Sequence, residues 1–468
     1  MNDINVPVVI ESVTIHPRSI KGRFRLFKSA VLYMAYLTYF ILPWIPYDRP
    51  VGKSQAVLFD IGSQKFYIFG VVVHAQDIFW LAALLFLAAV LLFFSTALVG
   101  RAFCGYFCFQ TLWTDAFRSI EKLIQGDRVK RIRLDKQPWN LEKTTKRGLT
   151  HFLWLFLAFW TGLSFILYWG YAPELIINFF SGNAPGAAYI ATFGLMTTTY
   201  LAAGLMREKV CQHVCPYSRF QSVMIDNDTL VPTYDFHRGE GSQGRAKPIK
   251  LMKTIKERQS AGFGDCVDCG LCVQVCPVGI DIRDGMQYAC IQCGLCVDAC
   301  DSIMDARGWD RGLIRYESEN GLENGKTHFF KLRTYGYGLA MLGAIGFLLW
   351  SMSGQKLMES TAAQIRNPLY VTLSDGRIMN RYEIKLDNKS MYDASFDISL
   401  QGLQGAEVDL GKIEKIFIKP DEKQRISVKV KLDPKQVLTD NTKFKFVLTP
   451  LSGEVKEPIL IPSQFITP

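Results

Sequence analysis

The residues of this chain best suited to chemistry are its 12 cysteines, and their spacing is ordered. CVDCGLCVQVCP at 266–277 and CIQCGLCVDAC at 290–300 each follow C-x2-C-x2-C-x3-C, the spacing with which thiolates wrap a cubane iron–sulfur cluster. Three closely spaced thiolates bind three irons from one tight loop. The fourth, a short helical turn later, commonly crosses to the neighbouring cluster. This pairs Cys266, Cys269 and Cys272 with Cys300, and Cys290, Cys293 and Cys296 with Cys276, for two [4Fe–4S] clusters. Gly270 and Gly294 supply backbone freedom inside the loops, where close approach to sulfide is expected to leave no space for a side chain. Pro277 follows the first quartet, whereas Asp301 takes that place after the second. A structural zinc held by four thiolates is the competing reading, and two complete quartets in tandem weigh against it.

The remaining cysteines form two C-x3-C pairs, Cys104 with Cys108 in RAFCGYFCFQ and Cys211 with Cys215 in EKVCQHVCPY. Each pair follows an apolar run and an arginine, Arg101 or Arg207. At i and i+4 the two thiols of a pair are expected on one side of a helix, as thiolates of lowered pKa beside the arginine. Two pairs facing each other would supply four thiolates. Four readings compete: buried thiols packing as small hydrophobes, a disulfide, a soft-metal site that selects Cu(I), and a third iron–sulfur cluster. Spacing alone does not separate copper from a cluster. His213, inside CQHVC, is a candidate extra ligand or proton carrier. His74 and His151 lie near the ends of apolar runs without haem-like pairing and read as interfacial residues. No phosphate-binding loop, dinucleotide fingerprint or Ser/His/Asp arrangement stands out.

The elements that must position these thiols begin with membrane spans. Five windows, about 29–47, 78–99, 152–171, 187–206 and 335–352, are apolar enough to cross a bilayer, which takes ~20 such residues. Trp44, Tyr47, Trp169, Tyr171, Tyr335 and Trp350 sit near their ends, as interfacial aromatics do. Lys and Arg gather before the first window and in 101–150 and 207–333, while 48–77 is poor in basic residues and 172–186 has none. The positive-inside rule then places the N-terminus and both basic segments in the cytoplasm. These basic runs read as topogenic faces rather than nucleic-acid surfaces. The first apolar segment is too long for a cleavable signal peptide, and no small-residue cleavage site follows it.

Residues 355–468 alternate apolar and polar in short runs (RYEIKL, FDISL, ISVKVKL, KFKFVLTP) separated by Asp, Gly, Asn and Pro, and contain no cysteine. This reads as an immunoglobulin-like β-sandwich without the disulfide, on the periplasmic side. All cysteines thus fall on the cytoplasmic side, where clustered thiols more often hold metal than form disulfides. The expected fold is a multi-domain integral membrane protein. It comprises a cytoplasmic tail 1–28, a four-span membrane domain 29–206, and a cytoplasmic segment 207–333 bearing an α+β two-cluster ferredoxin at about 260–305. A fifth span 334–354 and the all-β domain 355–468 complete it.

In CGYFCFQTLWTD, REKVCQHVCPYSRFQSVMIDNDTL, YDFHRGE, the block GDCVDCGLCVQVCPVGIDIRDGMQYACIQCGLCVDACDSIM and RGLIRY, the chain resembles the FixG/CcoG (RdxA-like) family of cytochrome c oxidase accessory proteins. The strand-rich tail is similar to that family's periplasmic immunoglobulin-like domain. Phe109 stands where the family often has Pro after the first pair. The resemblance implies a protein of the bacterial inner membrane that reduces Cu(II) to Cu(I) for assembly of a cbb3-type oxidase. Cys104, Cys108, Cys211 and Cys215 would then be its copper or redox positions. It further implies copper-delivery proteins and the oxidase assembly machinery as partners and a cytoplasmic electron donor that the sequence leaves unidentified. No nucleic acid is implied. A quinol-linked membrane ferredoxin feeding a periplasmic reductase and a redox-inactive assembly scaffold are the competing function classes. Neither a quinone pocket nor a flavin attachment signature is recognisable, and a scaffold leaves 12 ordered cysteines unexplained.

Overall fold

A computed structural model describes residues 15–467 apart from 50–52, 75–76, 248–253, 354–356, 391, 412, 414, 421 and 434–440. The first half of the expected N-terminal tail, residues 1–14, therefore lies outside the described residues. The chain divides into two units, one built from the chain up to Ile45 with Gln55–Phe347, the other from Pro46–Ser54 with Leu348–Pro468.

Among the described residues five helices are long and apolar enough to cross a membrane: Arg23–Trp44, Ile78–Val99, Leu141–Ile166, Gly186–Met206 and Leu332–Ser353. They coincide with the expected windows, but the first begins at Arg23 and the third at Leu141, well before their apolar stretches. Both extensions have a polar anchor. The Asp298 carboxylate accepts hydrogen bonds from the backbone N–H groups of Phe24 (3.2 Å) and Arg25 (2.7 Å), so a ferredoxin residue caps the first helix. Asn140 caps the third by accepting from Lys143 N at 2.8 Å. An acidic side chain at a helix N-terminus satisfies orphan donors and opposes the dipole. Gly22 is required beside this cap, because a Cβ there would lie 2.2 Å from Asp298 Cγ.

The connection after the second span is not the open basic loop that its charge suggested. It folds into helices Ala102–Tyr106, Phe109–Gln125 and Arg128–Lys136. The middle one buries Leu112, Trp113 and Phe117 against Trp154 of the third span and Val31 and Leu32 of the first. A three-stranded antiparallel sheet, Val57–Asp60, Lys65–Ile68 and Val71–His74, occupies the loop before the second span. Its alternation was too short to register in the sequence. The ferredoxin cysteines lie on loops and short helices flanked by a two-stranded ribbon, Val231–Tyr234 with Ile314–Glu317.

The second unit is a sandwich of two antiparallel sheets, as the alternation predicted. Tyr382, Phe396, Phe444, Phe446 and Phe465 fill its core. The Tyr382 hydroxyl donates to Gln464 O of the facing sheet at 2.8 Å and accepts from Asn380 Nδ2 at 3.4 Å. This core needs no disulfide.

Replacing Asp298 by Ala leaves two amide donors of the first helix without a partner. The expected loss is about 2 kcal/mol, read as a lowered thermal midpoint of the detergent-solubilised protein relative to wild type. An unchanged midpoint would show that the cap contributes nothing.

Candidate redox site

The two ferredoxin loops adopt the same backbone. In the first, Asp268 and Gly270 are left-handed (φ 45° and 63°); in the second, Gln292 and Gly294 are (φ 53° and 70°). Two left-handed residues around the second Cys curl each loop back on itself, and Gln292 N points at Cys290 Sγ from 3.3 Å. No protein atom lies within 4 Å of a Cβ built on Gly270, so its left-handed φ rather than crowding selects glycine there. Gly294 is crowded as well, but by the Phe24 ring at 2.8 Å, not at the thiols. Each of the other two left-handed residues is held by an arginine. Arg283 Nη1 donates to Asp268 at 2.6 Å, and the backbone N–H of Arg101 donates to the Gln292 side chain.

The folded loops surround two cavities of equal size, about 360 Å³ each. One is lined by Cys266, Cys269, Cys272 and Cys300, the other by Cys276, Cys290, Cys293 and Cys296, with Cys272 at its edge. The structure thus brings each fourth cysteine to the other motif's trio, in the arrangement that the spacing suggested. Among the described residues no three His, Cys, Asp or Glu side chains converge tightly enough to hold a single metal ion. Thiolates spread around a cavity suit a polynuclear cluster, whose own irons and sulfides fill the centre, better than one tetrahedral zinc at ~2.3 Å from each sulfur. The residues present therefore fit two [4Fe–4S] clusters.

The C-x3-C pairs depart from the helical expectation. The second span stops at Gly100 (φ 56°), and the fourth stops at Arg207 (φ 49°). After each stop comes one short helical turn carrying the first cysteine, Cys104 in Ala102–Tyr106 and Cys211 in Val210–Val214. The second cysteine is extended and precedes the next helix, Cys108 (ψ 130°) before Phe109–Gln125 and Cys215 (ψ 111°) before Pro216–Met224. Neither pair shares a helix face. Instead each straddles a break, and the two halves repeat one local fold. Phe109, where the family has Pro, opens its helix as Pro216 does and stacks on Trp113 at 3.9 Å.

These breaks bring the pairs together. Cys104 is a close electrostatic neighbour of Cys108 and Cys211, and Cys211 of Cys108 and Cys215. Gln110 Nε2 fastens one half to the other through Ala202 O (2.7 Å) and Arg207 O (3.0 Å). Cys104 is buried, and its Sγ donates to Gln221 Oε1 at 2.9 Å. Thiolates of low pKa, the expected state, are not what this environment produces. Burial pushes Cys104 up to about 12 and Cys211 up to about 11, outweighing the nearby Arg101. Arg207 is committed elsewhere, with Nη2 on Glu121 at 3.0 Å and its guanidinium over the Trp154 ring. Thiols of this kind ionise when a metal takes the place of the proton. His213 is exposed on its turn, and no hydrogen bond joins it to the thiols among the described residues. His151 meets the Tyr200 hydroxyl at 2.9 Å, and His74 is buried beside Asp77.

The ferredoxin loop 288–293 is stitched to both pairs through Arg101 and through Tyr288, Tyr106 and Gly105, which the sequence did not single out. Arg101 Nη1 donates to Tyr288 O at 2.5 Å, and the Tyr288 hydroxyl donates to Gln212 O. The Tyr106 hydroxyl donates to Cys293 O at 2.9 Å. Between them Gly105 lies against the loop so closely that a Cβ would stand 2.8 Å from Ile291 O and 3.1 Å from Cys293 Cα. Cys104, Cys276, Cys290 and Cys293 consequently share one packed cluster with Val275, Ile291 and Leu295.

Residues 79–128 match a family model described as a 4Fe-4S binding domain, and 206–319 match a 4Fe-4S dicluster domain. Residues 348–468 match the immunoglobulin-like fold found at the C-terminus of FixG. The chain is 40% identical to protein RdxA of Cereibacter sphaeroides over 85% of this chain and 84% of that one. It is also 37% identical to nitrogen fixation protein FixG of Rhizobium meliloti, over 89% and 86% of the two chains. This chain belongs to the FixG/RdxA family. A crystal structure of a FixG-related protein from Vibrio parahaemolyticus is similar over 24% of this chain and 97% of that one, at 24% identity and a TM-score of 0.22. As a family member with 4Fe-4S-binding regions, the chain is an iron–sulfur electron-transfer protein. The first of those regions contains Cys104 and Cys108, outside the tandem quartets.

Crossed ligation has a selective consequence. Cys300→Ser should perturb the paramagnetic signal of the cluster held by Cys266, Cys269 and Cys272 and spare the other, as read by electron paramagnetic resonance of the reduced protein. Selective loss of the Cys290 cluster would exclude the crossed arrangement.

Proposed function

We propose that this protein reduces Cu(II) to Cu(I) at Cys104, Cys108, Cys211 and Cys215 for assembly of a cbb3-type cytochrome c oxidase. The observation that carries this reading is that Cys104 and Cys293 belong to one buried apolar cluster, against which Cys276 and Cys290 pack. When bound, the clusters supply reversible one-electron redox capacity. The eight ferredoxin cysteines hold them, and the Tyr288, Arg101 and Tyr106 hydrogen bonds fix the distance from the 288–293 loop to the membrane-edge thiols. The substrate is Cu(II), which takes one electron and leaves as Cu(I). Thiolate sulfur prefers the Cu(I) product, so the site favours the reduced ion. The electrons come from a cytoplasmic donor.

With five spans and the ferredoxin on the cytoplasmic side, the C-terminal sandwich is assigned to the periplasmic side of the inner membrane. There it can meet copper-delivery proteins and oxidase subunits. Reporter fusions at Ser242 and Gly453 should then score on opposite sides of the membrane, and equal scores would refute this orientation.

A second reading has its own observation. A 4Fe-4S-binding family model spans Cys104 and Cys108, which supports a third cluster on the four C-x3-C thiols. One variant separates the two. Replacing all four cysteines by Ala should abolish Cu(II) reduction by the chemically reduced protein and lower bound copper while leaving iron unchanged. Loss of about four irons per chain would favour the third cluster. Reduction at the wild-type rate with iron unchanged would contradict both.

A further inference from the structure

A second polar cavity lies between the start of the first span, helix Phe109–Gln125 and the ferredoxin. Its void, counted with the part open to solvent, is about 630 Å³. Its lining includes Arg18, Arg25, Lys28, Arg118, Lys122 and Arg131 but one carboxylate, Asp115. Neighbouring acids balance them only in part, and Asp127, which feels Lys122, is occupied by the Ser19 and Arg128 amides. Asp115 is already engaged by both oxygens with Arg25, at 2.9 and 3.0 Å. Glu121 is shared between Arg131 and Arg207, at 3.0 Å each, and Glu208 is taken by Arg118 at 3.0 Å. Lys28 is only 2% exposed, yet its nearest acidic oxygen is 3.8 Å away. Arg118 Nε and Arg131 Nε are buried without a hydrogen-bond partner. At the mouth, Arg18 and Lys122 are exposed, and neither has an ion-pair partner among the described residues.

Burying cations in excess of carboxylates is unfavourable unless an anion joins them. We infer that this cavity binds a phosphate-bearing anion, its oxyanion seated among Lys28, Arg118 and Arg131 and closed over by Arg18 and Lys122. Guanidinium forks match phosphate oxygens in pairs, and the lysines add point charge. The chemistry is common to inorganic phosphate and to the headgroup of an anionic phospholipid, which the first span would bring to this height. Lys28, Asp115 and Arg118 also line the neighbouring cavity that reaches Cys211, but the anion site does not depend on the copper reading.

The test is binding to the cluster-loaded, full-length protein in a non-phosphate detergent, at fixed ionic strength set with chloride. Inorganic phosphate and a short-chain phosphatidylglycerol are titrated separately and followed by the shift in thermal midpoint. Saturable stabilisation by phosphate supports the site with a free ion, and stabilisation by phosphatidylglycerol alone supports it with a lipid headgroup. In the Arg18→Gln, Lys122→Gln double variant the affinity for the stabilising probe should fall about tenfold or more. Those two residues make no ion pair, so the variant should keep its cluster absorbance. Lys28→Met should likewise weaken binding, with the unliganded midpoint not lowered. No saturable effect of either probe on wild type, or equal affinity in the double variant, would overturn the inference.

Discussion

The architecture depends on how near one backbone comes to another at Gly105. A side chain at that position would overlap Ile291 O and crowd Cys293 Cα, so only glycine lets the membrane-edge turn lie flat on a ferredoxin loop. Once that contact is made, neighbouring groups on both sides have partners that they would otherwise lack. Arg101 donates to the Gln292 side chain and to Tyr288 O, Tyr106 donates to Cys293 O, and Asp298 receives the first helix. The membrane helices and the ferredoxin are accordingly one packed unit, not two domains joined by a linker.

The two halves of the membrane-edge site solve the same geometrical problem. A continuous helix would carry the second cysteine of each pair one turn above the first and leave both pointing along a single face. Breaking the helix at Gly100 and Arg207 turns each short segment across the span end instead, so four thiols approach from two sides. Arg207 is a non-glycine residue at φ 49° and ψ −118°, a sparsely populated conformation that costs of order 1–3 kcal/mol. Its ion pair with Glu121 and its place over Trp154 offset that strain.

Much of this was legible in the sequence where the signal is local. The ferredoxin quartets are set by spacing within a loop, the spans by contiguous apolar runs, and the sandwich by period-two alternation. The crossed partners of Cys276 and Cys300 followed from the same loop arithmetic, and the cavities place them accordingly. The C-x3-C geometry was misread because i, i+4 spacing is the signature of a helix; Gly100 in GRAFC is a stop signal that this spacing overrode, whereas nothing in REKVC announces a left-handed residue. The low-pKa expectation failed because an arginine in sequence is not an arginine in contact, as Arg207 and Glu121 show. Tyr288, Gln292 and Asp298 were invisible for another reason. Each matters through a partner roughly 76 to 273 residues away, across a contact that no local pattern encodes.

The central claim is that the close contact at Gly105 couples the ferredoxin to the membrane-edge thiols. Its most direct test is the rate at which anaerobically reduced protein is reoxidised by Cu(II), followed by cluster absorbance in stopped flow, for wild type, Gly105→Ala and Gly105→Val. The account predicts progressive slowing with side-chain size, by about tenfold or more for valine, at unchanged iron content. A Gly105→Val protein with full iron content that reoxidises at the wild-type rate would contradict it.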